Sequence, residues 1–257
     1  MPNQYWKLTD LKTVHTGSHG SIISIYDSPE ARERLEAYRT EGLTSTDLDG
    51  TLKSSVALRM AVEGMKHPRH ALRNVYWVLR TMTHVLYQWT QSPHSSFSDA
   101  VVLAQPRSFE KWVNSVYDLL SAGEQEQVLS AAQQPYFPRM DDVMRYLGDN
   151  KGIVVSRNIQ AVVAPVADEL GFACGYHQTN DKGKTILDHA AEGGVQRICH
   201  FGDTHDDLCV ADALRTERKE YDLVAVCRNT DPRRCDRRAT IFMPQDGRPL
   251  AEFLKIS

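Results

Sequence analysis

Cysteine pairs at metal-binding or redox spacing are missing from this sequence: it has five cysteines, an odd number, and no Cys-x-x-Cys. Cys174, Cys199, Cys209, Cys227 and Cys235 lie in or beside apolar segments, which fits reduced, mostly buried thiols better than a disulfide or zinc framework. Long apolar runs are missing as well. The most hydrophobic helical stretch, NVYWVLRTMTHVLYQW, is interrupted by Arg80 and His84 and is too polar to span a bilayer. The N-terminus, MPNQYWKLTDLK, has no basic region followed by an apolar one, so no secretory signal is visible and a soluble, cytoplasmic protein without a membrane partner is expected. Charge of one sign is scarce: a net charge of -3 offers no overall attraction to nucleic acid or to an anionic membrane, so any small anionic ligand must be handled locally. Repeats and low-complexity tracts are absent, and glycine and proline are moderate, which excludes solenoid, fibrous and disordered classes.

What is present is enough for a folded enzyme-sized unit. A chain of 257 residues can bury a substantial core, as one large domain or as a main domain with an insertion. Residues 21–26, SIISIY, read as a strand, and Ser28-Pro29 opens a charged helix, EARERLEAY. From about 53 to 150 the pattern is helical, with breaks at His67-Pro68, Ser92-Pro93, Gly123 and Pro135 to Pro138, and four or five amphipathic helices are expected. One of them carries Leu72, Val75, Tyr76, Leu79, Met82, Leu86 and Trp89 on a single stripe. After 150, strands at 152–156, 171–174, 197–201, 223–227 and 239–243 alternate with helices at 161–170, 185–191 and 208–214, the signature of βαβ units and a parallel sheet.

The segment TSTDLDGTLKSS, residues 44–55, carries the chemistry. Asp47 and Asp49 are separated by one residue, so at an extended strand end both carboxylates point the same way, suiting a nucleophile and a proton-transfer group at one phosphoryl centre. Gly50 lets the backbone turn beneath a ligand, and Thr51 offers a hydroxyl and an open helix start. Thr44-Ser45-Thr46 is polar for a central buried strand, so these hydroxyls need hydrogen-bond partners, and the N-terminal extension packed beside them is the candidate. Further along stand GIVVSRN with Ser156, TNDKGKTILDHA with Lys182 and Lys184, and ICHFGDTHDDLCVADAL with Asp203 and Asp207.

These four segments, in this order, resemble the motifs of the haloacid dehalogenase-like (HAD) superfamily, whose aspartate-based phosphatases carry Asp-x-Asp-x-Thr as the first. The resemblance covers about residues 43 to 245. It implies an α/β fold, a Rossmann-like core with a parallel sheet flanked by helices, and a Mg2+-dependent hydrolase acting on a phosphomonoester. Asp47 is then the nucleophile that becomes an aspartyl-phosphate and Asp49 the general acid and base. Thr51, Ser156, Arg157 and a lysine hold the phosphate; Lys182 is favoured because phosphoserine-phosphatase-like members often have glycine after this lysine, with Lys184 the alternative. Mg2+ takes oxygen ligands and usually one or two carboxylates, which suits Asp47, Asp203 and Asp207, with the Asp49 backbone carbonyl added by the resemblance. The family usually has Asn before its last aspartate, where this chain has Asp206, either near the cation or turned outward. His177, His189, His200 and His205 surround the later motifs but form no zinc-site spacing among themselves or with the cysteines; a substrate contact from His205 is an option beside a plain loop role.

About a hundred residues separate Asp47 from Ser156 and only about 25 separate Ser156 from Lys182. In this superfamily that position is the C1 insertion, and its helical pattern resembles a phosphoserine-phosphatase-like cap. The implied division is an N-terminal extension, 1–40, a core of 41–53 and 150–257, and a helical cap, 54–149. A closing cap excludes water and favours small phosphorylated metabolites. Arg69, His70, Arg73, Arg80 and Arg139 are candidate cap contacts or simply a solvated face. Arg233-Arg234-Cys235-Asp236-Arg237-Arg238 reads as a solvated loop rather than a nucleic-acid site, having no aromatic interleaving. The substrate and the oligomeric state stay open. So do two alternatives, a phosphotransferase or mutase of the same chemistry and a catalytically silent HAD-like binding protein; a dehalogenase does not need the second carboxylate that Asp49 provides.

Overall fold

Short runs such as GIVVS, RICHFG and EYDLVAVC, rich in β-branched and other apolar residues, form strands of a sheet covered on both faces. The computed structural model describes residues 15–17, 20–24, 29–53, 72, 75–76, 79–80, 83, 117–132, 135–149, 151–176, 181–203, 205–217, 219–227 and 240–256. Strands β1 (His15–Gly17), β2 (Gly20–Ser24), β3 (Gly42–Thr46), β4 (Gly152–Ser156), β5 (Ala173–Tyr176), β6 (Arg197–Gly202), β7 (Glu220–Cys227) and β8 (Ile241–Pro244) lie in the order β1-β2-β8-β7-β6-β3-β4-β5. Every neighbouring pair is parallel except β1 with β2. The expected α/β class with a parallel, helix-flanked sheet is the observed one. Helices are α1 (Pro29–Glu41), α2 (Ala122–Ala132), α3 (Met140–Gly148), α4 (Gln160–Leu170), α5 (Lys182–Glu192), α6 (His205–Thr216) and α7 (Arg248–Phe253).

The chain runs from β3 outward to β4 and β5, then returns to the other side of β3 with β6, β7 and β8. Strand order therefore reverses between β3 and β6, and the crevice at the C-terminal ends of those strands is where an open α/β sheet binds ligands. One face is packed by Leu43, Ile153, Val155 and Ile198 against Ile186, Ala190, Val210 and Leu214 of α5 and α6. The other carries Val154, Phe201, Val224 and Val226 against Leu35, Met140, Val143, Met144, Leu147 and Val163 of α1, α3 and α4. In α3 the residues 140, 143, 144 and 147 recur on one helical face, and all four are buried.

The polar β3 strand is fully buried, and its hydroxyls find partners outside the N-terminal extension, contrary to the expectation above. Thr44 Oγ1 donates to the Leu147 carbonyl at 3.1 Å, near the end of α3, where helix carbonyls lack intrahelical donors. Ser45 Oγ meets His200 Nδ1 of β6 at 2.9 Å, and Thr46 Oγ1 donates to the Asp47 carbonyl at 2.9 Å.

Of this extension, β2 pairs with β8 at the sheet and α1 packs against β3 and β6. Asp222, 2% exposed on β7, accepts from Arg34 Nε at 3.0 Å, Tyr38 Oη at 2.8 Å and Thr240 Oγ1 at 2.6 Å. That cluster ties α1 to the middle of the sheet. Asp222→Ala is expected to cost about 2–3 kcal/mol in a urea melt, less than a fully buried pair because Arg34 is partly exposed and its charge is screened.

Two expectations change. The strand expected at 171–174 begins at Ala173, because Gly171, at φ 71°, ends α4 in the left-handed conformation. Cys199 is buried as expected, but Cys174, on edge strand β5, is exposed. Leu72, Val75, Tyr76 and Leu79 are helical, and all four are more than half exposed. Most of the expected helical insertion, Ser28 and the basic run at 233–238 lie outside the described residues. Among the described residues no helix is long and apolar enough to cross a membrane.

Candidate active site

Three parallel strands, β4, β3 and β6, deliver Ser156, Asp47 and Asp203 to the same edge of the sheet, and the first turns of α5 and α6 add Lys182 and Asp207. Asp47 extends the β3–β6 ladder by one bond, its N–H donating to the Phe201 carbonyl at 2.9 Å. Leu48 turns into the core and is 0% exposed, so Asp47 and Asp49 emerge on the opposite side of the chain. Gly50 sits at φ 84°, and a Cβ there would come within 2.0 Å of Asp203 Oδ2, so no residue with a side chain fits. Gln245, following β8, donates to the Gly50 carbonyl and ties this turn to the segment after that strand.

Carboxylate oxygens of Asp47, Asp203 and Asp207 lie within 4.8 Å of one another. Lys182 Nζ, 6% exposed, sits 3.0 Å from Asp47 Oδ1 and 2.5 Å from Asp207 Oδ1. Burial opposes a charge on Lys182, but the two carboxylates, Asp207 foremost, outweigh it and hold the ammonium charged. The same contest comes out differently at its partners. Burial pushes the Asp47 carboxyl up to about 7 against the pull of Lys182, with Asp207 and Asp49 adding to the rise. At Asp207 burial also raises, yet Lys182 and His200 together hold it well below the usual carboxylate range.

Lys182 lies among carboxylates that converge in a mostly buried place. An oxygen-only donor set of three carboxylates fits a hard divalent cation such as Mg2+ and does not favour a soft or imidazole-preferring metal. Thr51 Oγ1 points the same way: it is completely buried and has no hydrogen-bond partner among the described residues, as expected of a group awaiting a ligand.

Of the two candidate lysines, only Lys182 meets the carboxylates. Lys184 is 68% exposed at the side chain and pairs with Asp188 one turn along the helix, while its backbone N–H is capped by Asp181 at 2.8 Å. Arg157 follows Ser156 at the strand end and is half-buried. Arg139 is engaged by the Ile256 carbonyl at 3.2 Å and by Asp142, and Arg80 is exposed beside Tyr76. His189 is half-buried in the last turn of α5. Arg69, His70, Arg73 and His177, and the side chains of His205 and Asp206, lie outside the described residues.

Two residues at the site had no role assigned from the sequence. His200 is 0% exposed, with Nδ1 at Ser45 and Nε2 3.3 Å from Asp207 Oδ1. A carboxylate can only accept, so Nε2 carries the proton and Ser45 donates to Nδ1; burial keeps the imidazole neutral by lowering its pKa, although Asp207 pulls the other way. The available signal was register, since Ser45 and His200 face each other across β3 and β6. The second is Asn158, 5% exposed, whose Nδ2 donates to Asp49 Oδ2 at 2.9 Å.

No protein-family model matches the sequence, and no curated protein matches it. Among solved structures, a dehalogenase is similar at 12% identity and a TM-score of 0.47, covering 84% of this chain and 97% of its own. An L-2-haloacid dehalogenase is similar at 15% identity and 0.43, covering 83% and 98%. A dehalogenase with an intermediate complex is similar at 13% identity and 0.46, covering 84% and 97%.

Proposed function

We propose that this chain is a Mg2+-dependent phosphatase of the HAD type, hydrolysing a small phosphorylated metabolite through an aspartyl-phosphate on Asp47. The observation that carries the reading is the second carboxylate: Asp49 shares the strand-end turn with Asp47 and is held by a dedicated hydrogen bond from Asn158. A halide departs as a stable anion and needs no proton, whereas the alkoxide of a phosphomonoester does, so a positioned acid beside the nucleophile favours phosphoryl chemistry over dehalogenation.

In the first step an Asp47 oxygen bonds to phosphorus, the ester P–O bond breaks, and the departing oxygen takes the proton from Asp49. In the second, Asp49 accepts a proton from water as that water attacks phosphorus, releasing inorganic phosphate and restoring Asp47. Ser156 and Thr51 donate to the phosphoryl oxygens and Lys182 balances charge developing on them. Bound by Asp47, Asp203, Asp207 and the Asp49 carbonyl, magnesium would offset the repulsion between carboxylates and phosphate. Residues 54–149 form, in this reading, a cap on a core of 41–53 and 150–257, with 1–40 as an extension.

Purified protein is expected to hydrolyse p-nitrophenyl phosphate with added Mg2+, to stop on chelation, and to release no halide from a 2-haloacid. Halide release without phosphate-ester hydrolysis would replace the phosphatase reading with dehalogenation. Transfer of the phosphoryl group to an added acceptor alcohol in preference to water would replace it with phosphotransfer.

A further inference from the structure

We propose that Asn158 is the positioning residue for the proton-transfer carboxylate, setting which oxygen of Asp49 carries the proton; the inference rests on the phosphatase reading above. The orientation of its amide is settled by its surroundings. Asn158 Oδ1 accepts from the Ile159 N–H at 2.8 Å, and only an oxygen can do so, which leaves the NH2 group facing Asp49 Oδ2 at 2.9 Å. An amide NH2 donates and never accepts. Oδ2 of Asp49 is therefore the bare oxygen in both half-reactions, and the proton that is given to the leaving group and later taken from water resides on Oδ1.

The same residue also sets the nearby hydroxyl. The backbone N–H of Asn158 donates to Ser156 Oγ at 3.1 Å, which occupies one acceptor side of that oxygen and leaves its O–H to donate elsewhere. Both bonds are rigidly based. Asn158 is 5% exposed and leads directly into α4, anchored by buried Val162, Val163 and Val166. Without this donor the Asp49 carboxylate loses the contact that orients Oδ2, at the moment its geometry matters.

Leaving-group dependence separates positioning from general damage. Dinitrophenolate departs without a proton, whereas a simple alkoxide requires one, and kcat/KM reports the steps up to that departure. Asn158→Ala and the isosteric Asn158→Asp, which keeps the oxygen that accepts from Ile159 and turns a second carboxylate toward Asp49 in place of the donor, are compared with wild type on an alkyl phosphate and on dinitrophenyl phosphate with Mg2+. Thermal melts identify any variant that fails to fold. Both folded variants are expected to lower kcat/KM for the alkyl ester about tenfold or more beyond any loss on the aryl ester. Equal losses on the two esters, or no loss on either, in a folded variant overturn the assignment. A wild-type protein inert toward both esters removes the phosphatase reading and this inference with it, an outcome distinct from the first because it appears before any substitution is made.

Discussion

Asp47→Asn is expected to abolish turnover, by on the order of 10⁴-fold or more in kcat, while making the cation-free protein more stable at pH 8. The first half follows from chemistry: an amide is a poor nucleophile toward phosphorus, and removal of a covalent nucleophile is among the costliest single changes an active site can suffer. The second half follows from the buried charge. In the folded protein the Asp47 carboxyl is raised from 3.8 to about 7, chiefly by burial, so the native state holds a proton that the unfolded chain has already released. Fewer protons are then bound in the unfolded state than in the native one, and this group's contribution to stability falls as pH rises from about 4 to about 7 and stays low above that. Asparagine has no such titration. Melting temperatures in chelator at pH 5 and pH 8 check the point: wild type is expected to lose stability between the two relative to the variant, and the variant to melt above wild type at pH 8.

Lys182→Met is expected to do the opposite to stability while also stopping turnover. The substitution keeps the length and volume of the stem but leaves Asp47 and Asp207 buried without their shared ammonium, and removing one partner of such a group costs about 3–5 kcal/mol. The loss should be strongly non-additive with Asp47→Asn, because one of the two stranded carboxylates is then neutral. A double-mutant cycle on denaturant midpoints in chelator measures the coupling. Lys184→Met is the control; its side chain is exposed and paired only within its own helix, so neither turnover nor melting should change measurably.

The choice between these lysines illustrates what the amino-acid pattern could and could not convey. Residues two apart on a helix project about 200° from each other, so only one of the pair can face the site, but which one depends on where the helix begins. Asp181 caps the first turn through the Lys184 N–H, and that places Lys182 inward. The alternation of strand and helix after residue 150 was legible because the strands are short, mostly apolar runs, and two of them, GIVVS and RICHFG, lead to Ser156 and Asp203 at the same end of the sheet. Ser156 and Asp203 were readable for that reason, and Asp47 from its spacing to Asp49 and Gly50 despite the polar strand before it. Ser45 with His200 was not, since a polar residue in a buried strand makes sense only when its neighbour across the sheet is known, and that pairing links positions 155 residues apart. Asn158 resembles an ordinary helix-start residue, and half of its bonding is that: Oδ1 meets the Ile159 N–H, and only the fold brings Asp49 to its other side. The three hydroxyls of β3 likewise needed partners by general principle, yet the Leu147 carbonyl and His200 were visible only once α3 and β6 were in place.

Turnover of a phosphomonoester with Mg2+ in water labelled with heavy oxygen, followed by mass analysis of both the released phosphate and the peptide containing Asp47, bears most directly on the reaction proposed. Water that attacks phosphorus in an aspartyl-phosphate leaves its oxygen in the phosphate and none in the carboxylate. The expected result is labelled phosphate and unlabelled Asp47 after many turnovers. Heavy oxygen accumulating in the Asp47 carboxylate would mean that water attacks the carboxyl carbon of an ester intermediate, the signature of displacement at carbon, and would contradict the phosphatase reading.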